Sequence, residues 1–194
     1  HGIYLSQLTA DSIIEYCHSH HNKQQGIQIN PEGPTGVTSG MVVRYNNIHD
    51  NGQTGIGVHG TSDSQFYYNV VYDNAKRGIV FYDHEGGNGF GCVNNFVYNN
   101  FVRIPVSSDV NAMGIAALHY STGNTYKNNI IWSNDAEAPN WKFDNTSTGS
   151  IIDYNLSYRA TATTNIASYF GVNKTWAEWK ELGFDANGVN ANPL

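Results

Sequence analysis

The chain has 194 residues, of which 10 are Lys or Arg and 16 are Asp or Glu, so its net charge is −6 at neutral pH. The scattered cations do not form the basic patch that nucleic-acid binding requires, and no apolar run approaches the roughly 20 residues that span a bilayer. The composition therefore predicts one domain with a sizeable core, no nucleic-acid partner and no membrane span.

A unit of short strands recurs along the whole chain. Each unit opens on a Gly-Ile pair and, about twenty residues later, reads Asn-x-(Ile/Val)-(aromatic or His)-x-Asn. This second half occurs at 46–51, 69–74, 95–100 and 129–134, with weaker copies at 17–22 and 155–158. A repeat of this length, built from short strands with Asn or Gly turns, predicts a solenoid.

Alternation along each strand predicts which side chains face the core. The first strands contribute two apolar columns, which are Ile3, Ile27, Ile56, Ile79, Ile115 and Trp141, and Leu5, Ile29, Val58, Phe81, Ala117 and Phe143. The second strands contribute Ile14, Val43, Phe66, Cys92, Tyr126 and Ile152, and the third contribute Ile48, Val71, Val97 and Ile131. A buried amide needs hydrogen-bond partners, so we expect one inward ladder of Asn46, Asn69, Asn95, Asn129 and Asn155.

The Gly-Ile strands and the Asn ladder resemble the repeats of right-handed parallel β-helix proteins of the pectin-lyase-like superfamily, of the secreted bacterial type. This resemblance implies an all-β, single-stranded parallel β-helix of about six turns over residues 1–158, in a protein that is secreted or on the cell surface. It says little about activity, because the superfamily holds polysaccharide lyases, glycoside hydrolases, epimerases, phage tailspikes and adhesins.

Residues 159–194 form a predicted tail with a helix over 175–183. Thr175 and Glu178 have the spacing of a capping box. We expect the helix to bury its tryptophans against the outer wall of the third strands, along Val70, Phe96, Ile130 and Leu156. The alternative is that this apolar stripe binds a partner or stacks on sugar rings. The tail also resembles a segment after which more chain usually follows, so we expect a fragment that continues into, or stacks with, further turns.

The outward face of the first strands is the predicted polysaccharide site, with the Gly-rich segment 83–91 as a wall. His59 and Tyr82 lie on adjacent turns, roughly 5 Å apart, and could act as a proton-transfer pair for β-elimination on a uronate. Lys142 or a bound Ca²⁺ would neutralise the sugar carboxylate. The structural alternative is that the two rings are surface residues that pack on each other.

Carboxylates offer a second enzymatic interpretation of this face. Asp83 and Glu85, with Asp144, could be the acid and base of glycoside hydrolysis, which needs two carboxyl groups roughly 5–9.5 Å apart. A solvated acidic loop is the structural alternative. The predicted catalytic set is therefore His59, Tyr82, Asp83, Glu85 and His119, and the predicted substrate-binding set is Asn30, His84, Lys142 and Asp144.

Other patterns are less specific. The segment after Tyr82 matches no defined calcium loop, and His18, His20 and His21 suggest a metal cluster only by number, so no metal ligands are assigned. The outward column His20, His49, Tyr72, Tyr98, Trp132 and Tyr158 is either a stacked ladder or a platform for sugar rings. The catalytic motifs of polygalacturonases and pectate lyases are absent from the sequence. Lys142 is the only clear outward cation on the predicted face, which counts against a pectate-type substrate and leaves neutral or weakly charged glycans open. We expect polysaccharide binding or cleavage, with a non-catalytic structural or adhesive segment of a larger surface protein as the alternative.

Overall fold

A computed structural model describes residues 1–6, 10–31, 37–83, 90–107, 109–161 and 164–193. The chain winds into a right-handed parallel coil of about six turns, with one short helix near the C-terminus. The predicted all-β solenoid is confirmed.

The described strands and helix follow each other along the chain with short connections. In order they are β1 (Ile3–Ser6), β2 (Ile13–Glu15), β3 (His18–His20), β4 (Ile27–Asn30), β5 (Thr38–Ser39), β6 (Val42–Arg44), β7 (Asn47–His49), β8 (Thr54–His59), β9 (Thr61–Ser62), β10 (Gln65–Tyr67), β11 (Val70–Tyr72), β12 (Arg77–Tyr82), β13 (Phe96–Tyr98), β14 (Phe101–Ile104), β15 (Met113–Ala117), β16 (Thr125–Lys127), β17 (Ile130–Ser133), β18 (Trp141–Phe143), β19 (Ile151–Asp153), β20 (Leu156–Arg159), β21 (Asn165–Tyr169), β22 (Val172–Thr175) and α1 (Trp176–Glu181).

Three long sheets run along the coil. Sheet A has the order β1-β4-β8-β12-β15-β18-β21-β22, sheet B the order β2-β6-β10-β13-β16-β19, and sheet C the order β3-β7-β11-β14-β17-β20. The pairings are parallel except for β21 with β22, and β5 with β9 forms a small additional sheet. Both predicted core columns of sheet A are confirmed. Ile27, Ile56 and Ile79 pair in register and are buried, and the same holds for Ile29, Val58 and Phe81.

In one turn, the residues that enter sheets B and C lie five positions later in the chain than predicted. Strand β13, which contains Val97, belongs to sheet B, so Val97 takes the place between Phe66 and Tyr126 that was predicted for Cys92. Val102, on β14, then fills the predicted place of Val97 in sheet C. The physical reason is that a three-residue strand and the two-residue corner after it together span five residues, in sheet B as well as in sheet C. The Asn-x-Val-aromatic-x-Asn pattern therefore fits either sheet.

The shift also corrects the predicted Asn ladder. The observed ladder runs through Asn46, Asn69, Asn100, Asn129 and Asn155 and ends on Asp185. From Asn69 onward, each amide oxygen accepts from the backbone N–H and the side-chain amide of the preceding turn, as Asn129 does from Asn100 at 3.1 and 3.0 Å. Asn95 instead bonds Asn124 in a second ladder at the neighbouring corner. A third ladder links Asn22, Asn51 and Asn74.

The C-terminal segment closes the end of the coil. Helix α1 begins after the predicted capping box, in which Thr175 and Glu178 bond each other's backbone N–H groups. Its Trp179 is fully buried and packs against Trp141 and Phe143 of the last turns. The expected docking on the outer wall of sheet C is therefore wrong, because Trp179 is buried among the inward aromatic side chains at the coil end.

Candidate functional site

A cavity of about 410 Å³ lies on the outward face of sheet A. Its walls are formed by Arg77, Tyr82, Asn111, Met113, Leu118, His119, Lys142 and Asp144. Four residues that the sequence placed on this face, Tyr82, His119, Lys142 and Asp144, therefore share one cavity. A second cavity of about 290 Å³ shares Lys142 and extends along the face toward Ser168.

The floor beneath this cavity is apolar and tightly packed. Val80, Met113 and Ala116 form a buried cluster on the outer side of sheet A, separate from the main core, and Tyr82 and Leu118 pack against it. Val80 and Ala116 are paired strand residues, so the floor is part of the rigid sheet. Polar side chains around an apolar floor are typical of ligand sites, because a few fixed polar groups then orient a ligand that is held by its apolar surface.

Asp144 and His119 form a polar pair on one side of the cavity. The Asp144 carboxylate accepts a hydrogen bond from the His119 backbone N–H at 2.6 Å, and its oxygen lies 3.7 Å from the His119 Nδ1. Burial opposes ionisation of this carboxyl, but hydrogen bonds from His119 and Thr146 outweigh it and hold the pKa of Asp144 below its usual value. The pair therefore places a partly exposed imidazole beside a carboxylate.

Tyr82 is held in the cavity by its neighbours. Its ring lies 3.8 Å from that of His59, centroid to centroid, at an interplanar angle of 62°. The amide of Gln25 reaches the Tyr82 hydroxyl by crossing over Gly57, where an added Cβ would come within 1.8 Å of the Gln25 side chain. Burial raises the pKa of the Tyr82 hydroxyl, against the opposing effects of Gln25 and Arg77. Tyr82 is therefore a proton donor rather than an anion at neutral pH.

Two polar wall residues were missed by sequence reasoning. Arg77 begins β12, just before the Gly-Ile pair, and brings a second cation to a face on which the sequence indicated only Lys142. Asn111 lies between β14 and β15, two residues before Met113, and lines the cavity from there. The position of Arg77 next to the repeat is a signal that could have found it, whereas Asn111 depends on the path of a loop.

The remaining predicted site residues lie elsewhere or outside the described part of the chain. Asn30 donates to the Tyr4 hydroxyl at 2.9 Å, one turn before His59, and does not line the cavity. Asp83 is only 1% exposed. His84 and Glu85 fall outside the described residues, as does most of the predicted wall 83–91.

The outward column of sheet C differs from the predicted one at a single place. Arg103, not Tyr98, lies between Tyr72 and Trp132, and its guanidinium carbon is 5.7 and 5.9 Å from their ring centroids. Tyr98 instead stacks on Tyr67 in sheet B, at 4.8 Å. The column is therefore a continuous stack in which a cation separates two aromatic rings, so these ring faces are covered rather than open to a sugar.

Within the residues that the structure describes, no three or more His, Cys, Asp or Glu side chains form a group that could hold a metal ion. None of the helices in the same part of the chain is long and apolar enough to cross a membrane.

Comparison with known proteins agrees with this architecture. A family model described as "Right handed beta helix region" matches residues 35–131, which is half of the chain. No curated protein and no solved structure matches the sequence. On the fold and on this match, the chain belongs to the right-handed β-helix family.

Proposed function

We propose that the chain binds a polysaccharide along the outward face of sheet A and acts on it in the cavity beside His119. The observation that carries the proposal is the convergence of Tyr82, His119, Lys142 and Asp144 around one cavity with an apolar floor. The adjoining cavity on the other side of Lys142 lengthens the site, as an extended ligand requires. Sites on strands are rigid, which suits the positioning of catalytic groups.

The wall residues match the needs of β-elimination on a uronate. His119, beside the Asp144 carboxylate, would remove the proton from C5 of the sugar. The C4–O bond would break as the C4=C5 double bond forms, and the Tyr82 hydroxyl would protonate the departing oxygen. Arg77 and Lys142 would neutralise the sugar carboxylate, as a cation at this position favours removal of the adjacent proton. His59 then serves to position the ring of Tyr82.

A panel of neutral and acidic glycans tests this proposal. The full chain should release a product with the ultraviolet absorbance of an unsaturated uronate, and His119→Ala and Tyr82→Phe should slow release by roughly 10²–10⁴-fold. Lys142→Ala should weaken binding of the acidic glycan and also slow turnover, because it removes one of the two cations that neutralise the sugar carboxylate. Lys127→Ala, on the outer side of sheet B, is the matched control and should behave as the wild type. Unchanged activity in the His119 and Tyr82 variants would contradict the assignment.

A non-catalytic, adhesive role is the second candidate. It is favoured by Tyr16, Tyr45 and Tyr68, which stack at 5.3 and 5.2 Å along the corner between sheets B and C and stay 73%, 41% and 47% exposed. Glycan binding without any product, weakened by Tyr16→Ala but not by His119→Ala, would support this role. Stacking with further turns belongs to the same candidate and would appear as a concentration-dependent mass in solution.

A polysaccharide ligand also supports location outside the cell. We propose that the protein is secreted or held on the cell surface. Fractionation of the producing cells, followed by detection with an antibody to the chain, tests this point, and recovery from the cytoplasm alone would contradict it.

A further inference from the structure

Four histidines gather on the outward face of sheet C at the first two turns. His18 and His20 lie two residues apart on β3 with the buried Ser19 between them, so both point outward. His49, on β7, pairs directly with His20 across the sheet. His21 follows at the corner, and its ring is 4.9 Å from that of His20. His18 and His20 therefore share one face of the strand, which their number in the sequence alone did not indicate.

The ring nitrogens of this group come close together. The Nε2 atoms of His18 and His49 are 2.6 Å apart, and the Nδ1 atoms of His20 and His21 are also 2.6 Å apart. The ring centroids of His18 and His49 lie 4.8 Å apart. A neutral imidazole carries one N–H and one lone pair, so each close pair joins two groups that bind either a proton or a metal ion.

A carboxylate orients one of these rings. Asp50 Oδ2 lies 2.7 Å from the Nδ1 of His49, and an ionised carboxylate can only accept, so Nδ1 carries the proton. The lone pair of His49 is then on Nε2, the atom that faces His18. This carboxylate-imidazole pair is the arrangement that holds histidine ligands in metal sites, where the carboxylate fixes both the tautomer and the direction of the ring.

We propose that His18 and His49 bind a divalent transition-metal ion of the Zn²⁺ class through their Nε2 atoms, with water in the remaining positions. Imidazole favours Zn²⁺, Cu²⁺ and Ni²⁺ over Mg²⁺ and Ca²⁺, which prefer oxygen. Zinc–nitrogen bonds are about 2.0–2.1 Å, so two ligands of a tetrahedral ion stand about 3.3 Å apart. His18 is exposed, so its ring can turn and move its Nε2 away from the His49 Nε2 by the fraction of an ångström that the ion requires.

A metal ion bound between His18 and His49 would also stabilise the first turns of the coil. His18 belongs to the first turn and His49 to the second, and the two strands pair in sheet C. An ion held between them would link the first turn to the rest of the coil. Because an ion that binds only the folded chain stabilises it, the unfolding temperature should rise with zinc concentration and continue to rise slowly after the site is filled.

Zinc binding to the full chain tests the proposal. Equilibrium dialysis and thermal unfolding at neutral pH should show saturable binding of Zn²⁺ with an accompanying rise in unfolding temperature, and no such effect of Mg²⁺. His18→Ala changes an exposed side chain and should weaken zinc binding at least about tenfold, because one of two protein ligands is lost. Asp50→Asn should weaken it by roughly 10–100-fold through the ring of His49.

Two controls keep the result specific. His119→Ala and His1→Ala remove exposed histidines far along the chain or at its start, and both should bind zinc as the wild type does. Equal zinc affinity in His18→Ala and the wild type would overturn the proposal, as would the absence of saturable binding. Loss of binding in His20→Ala and His21→Ala with His18→Ala unaffected would place the ion on the other nitrogen pair and would also overturn it.

Discussion

The interior of the coil and the outward face of sheet A are built from the same strands but follow opposite rules. Inside, successive turns place Ile at the same register position, as at Ile27, Ile56 and Ile79. Outside, a single register column changes at each turn through Asn30, His59, Tyr82, Leu118 and Asp144. Repetition therefore specifies the fold, whereas departures from repetition on an outer face indicate where a ligand would bind.

The physical basis of this contrast is the environment of each column. A buried side chain must fill the space left by its neighbours above and below, so like residues stack and unlike ones leave voids. A side chain on the outward face packs against water or a loop and is free to vary. If the contrast holds, substitutions inside the coil should change stability, and substitutions at the cavity should change binding or turnover with little effect on stability.

The strongest expected effect is on the buried ladder. Asn129→Ala removes the acceptor of two bonds from Asn100 and the donor to the Val97 carbonyl, and these buried groups would stay unpaired. We expect a loss of at least about 3 kcal/mol in the free energy of unfolding, measured by urea denaturation. Asn145→Ala, at an exposed turn, is the control and should change it little. Similar small losses of unfolding free energy in both variants would contradict the contrast between the interior and the outward face.

An intermediate effect tests the shifted register. Arg103 pairs with Asp73 and lies between Tyr72 and Trp132. A double-mutant cycle of Asp73→Ala and Arg103→Ala should give a coupling energy of about 0.5–1 kcal/mol, as expected for a partly exposed ion pair. The corresponding cycle of Asp73→Ala with Tyr98→Ala should give none. Coupling of Asp73 to Tyr98 instead would restore the register that the sequence indicated.

The smallest expected effect concerns the cavity carboxylate. The pKa of Asp144 is lowered in the folded chain, so its stabilising contribution is present above the unfolded value of about 3.9 and is lost as pH falls through the folded one. Urea unfolding of wild type and Asp144→Asn at a series of acidic pH values should show a steeper loss in the wild type. Parallel curves would show that the carboxylate is not held by His119 and Thr146.

Sequence reasoning succeeded where a motif fitted only one position in each turn. The Gly-Ile strands occur once per turn, so their alternation identified the core columns of sheet A and the face that carries Tyr82 and Lys142. It chose Asn95 rather than Asn100 for the ladder. Sheets B and C repeat the same five-residue unit, so both residues match the ladder position in the sequence. It also missed Arg77, which lies just outside the repeat, and it placed α1 on the wall rather than across the coil end.

The sequence by itself determined that this chain is a parallel β-helix, since a repeat of apolar and Asn positions can be buried in only one way when identical turns stack. The tertiary structure alone decided which turn carries which Asn, what closes the coil, and which side chains meet. His18 and His49 lie 31 residues apart in sequence and touch only because their turns are adjacent. Contacts between turns depend on the length of every intervening loop, and the repeat pattern does not contain that information.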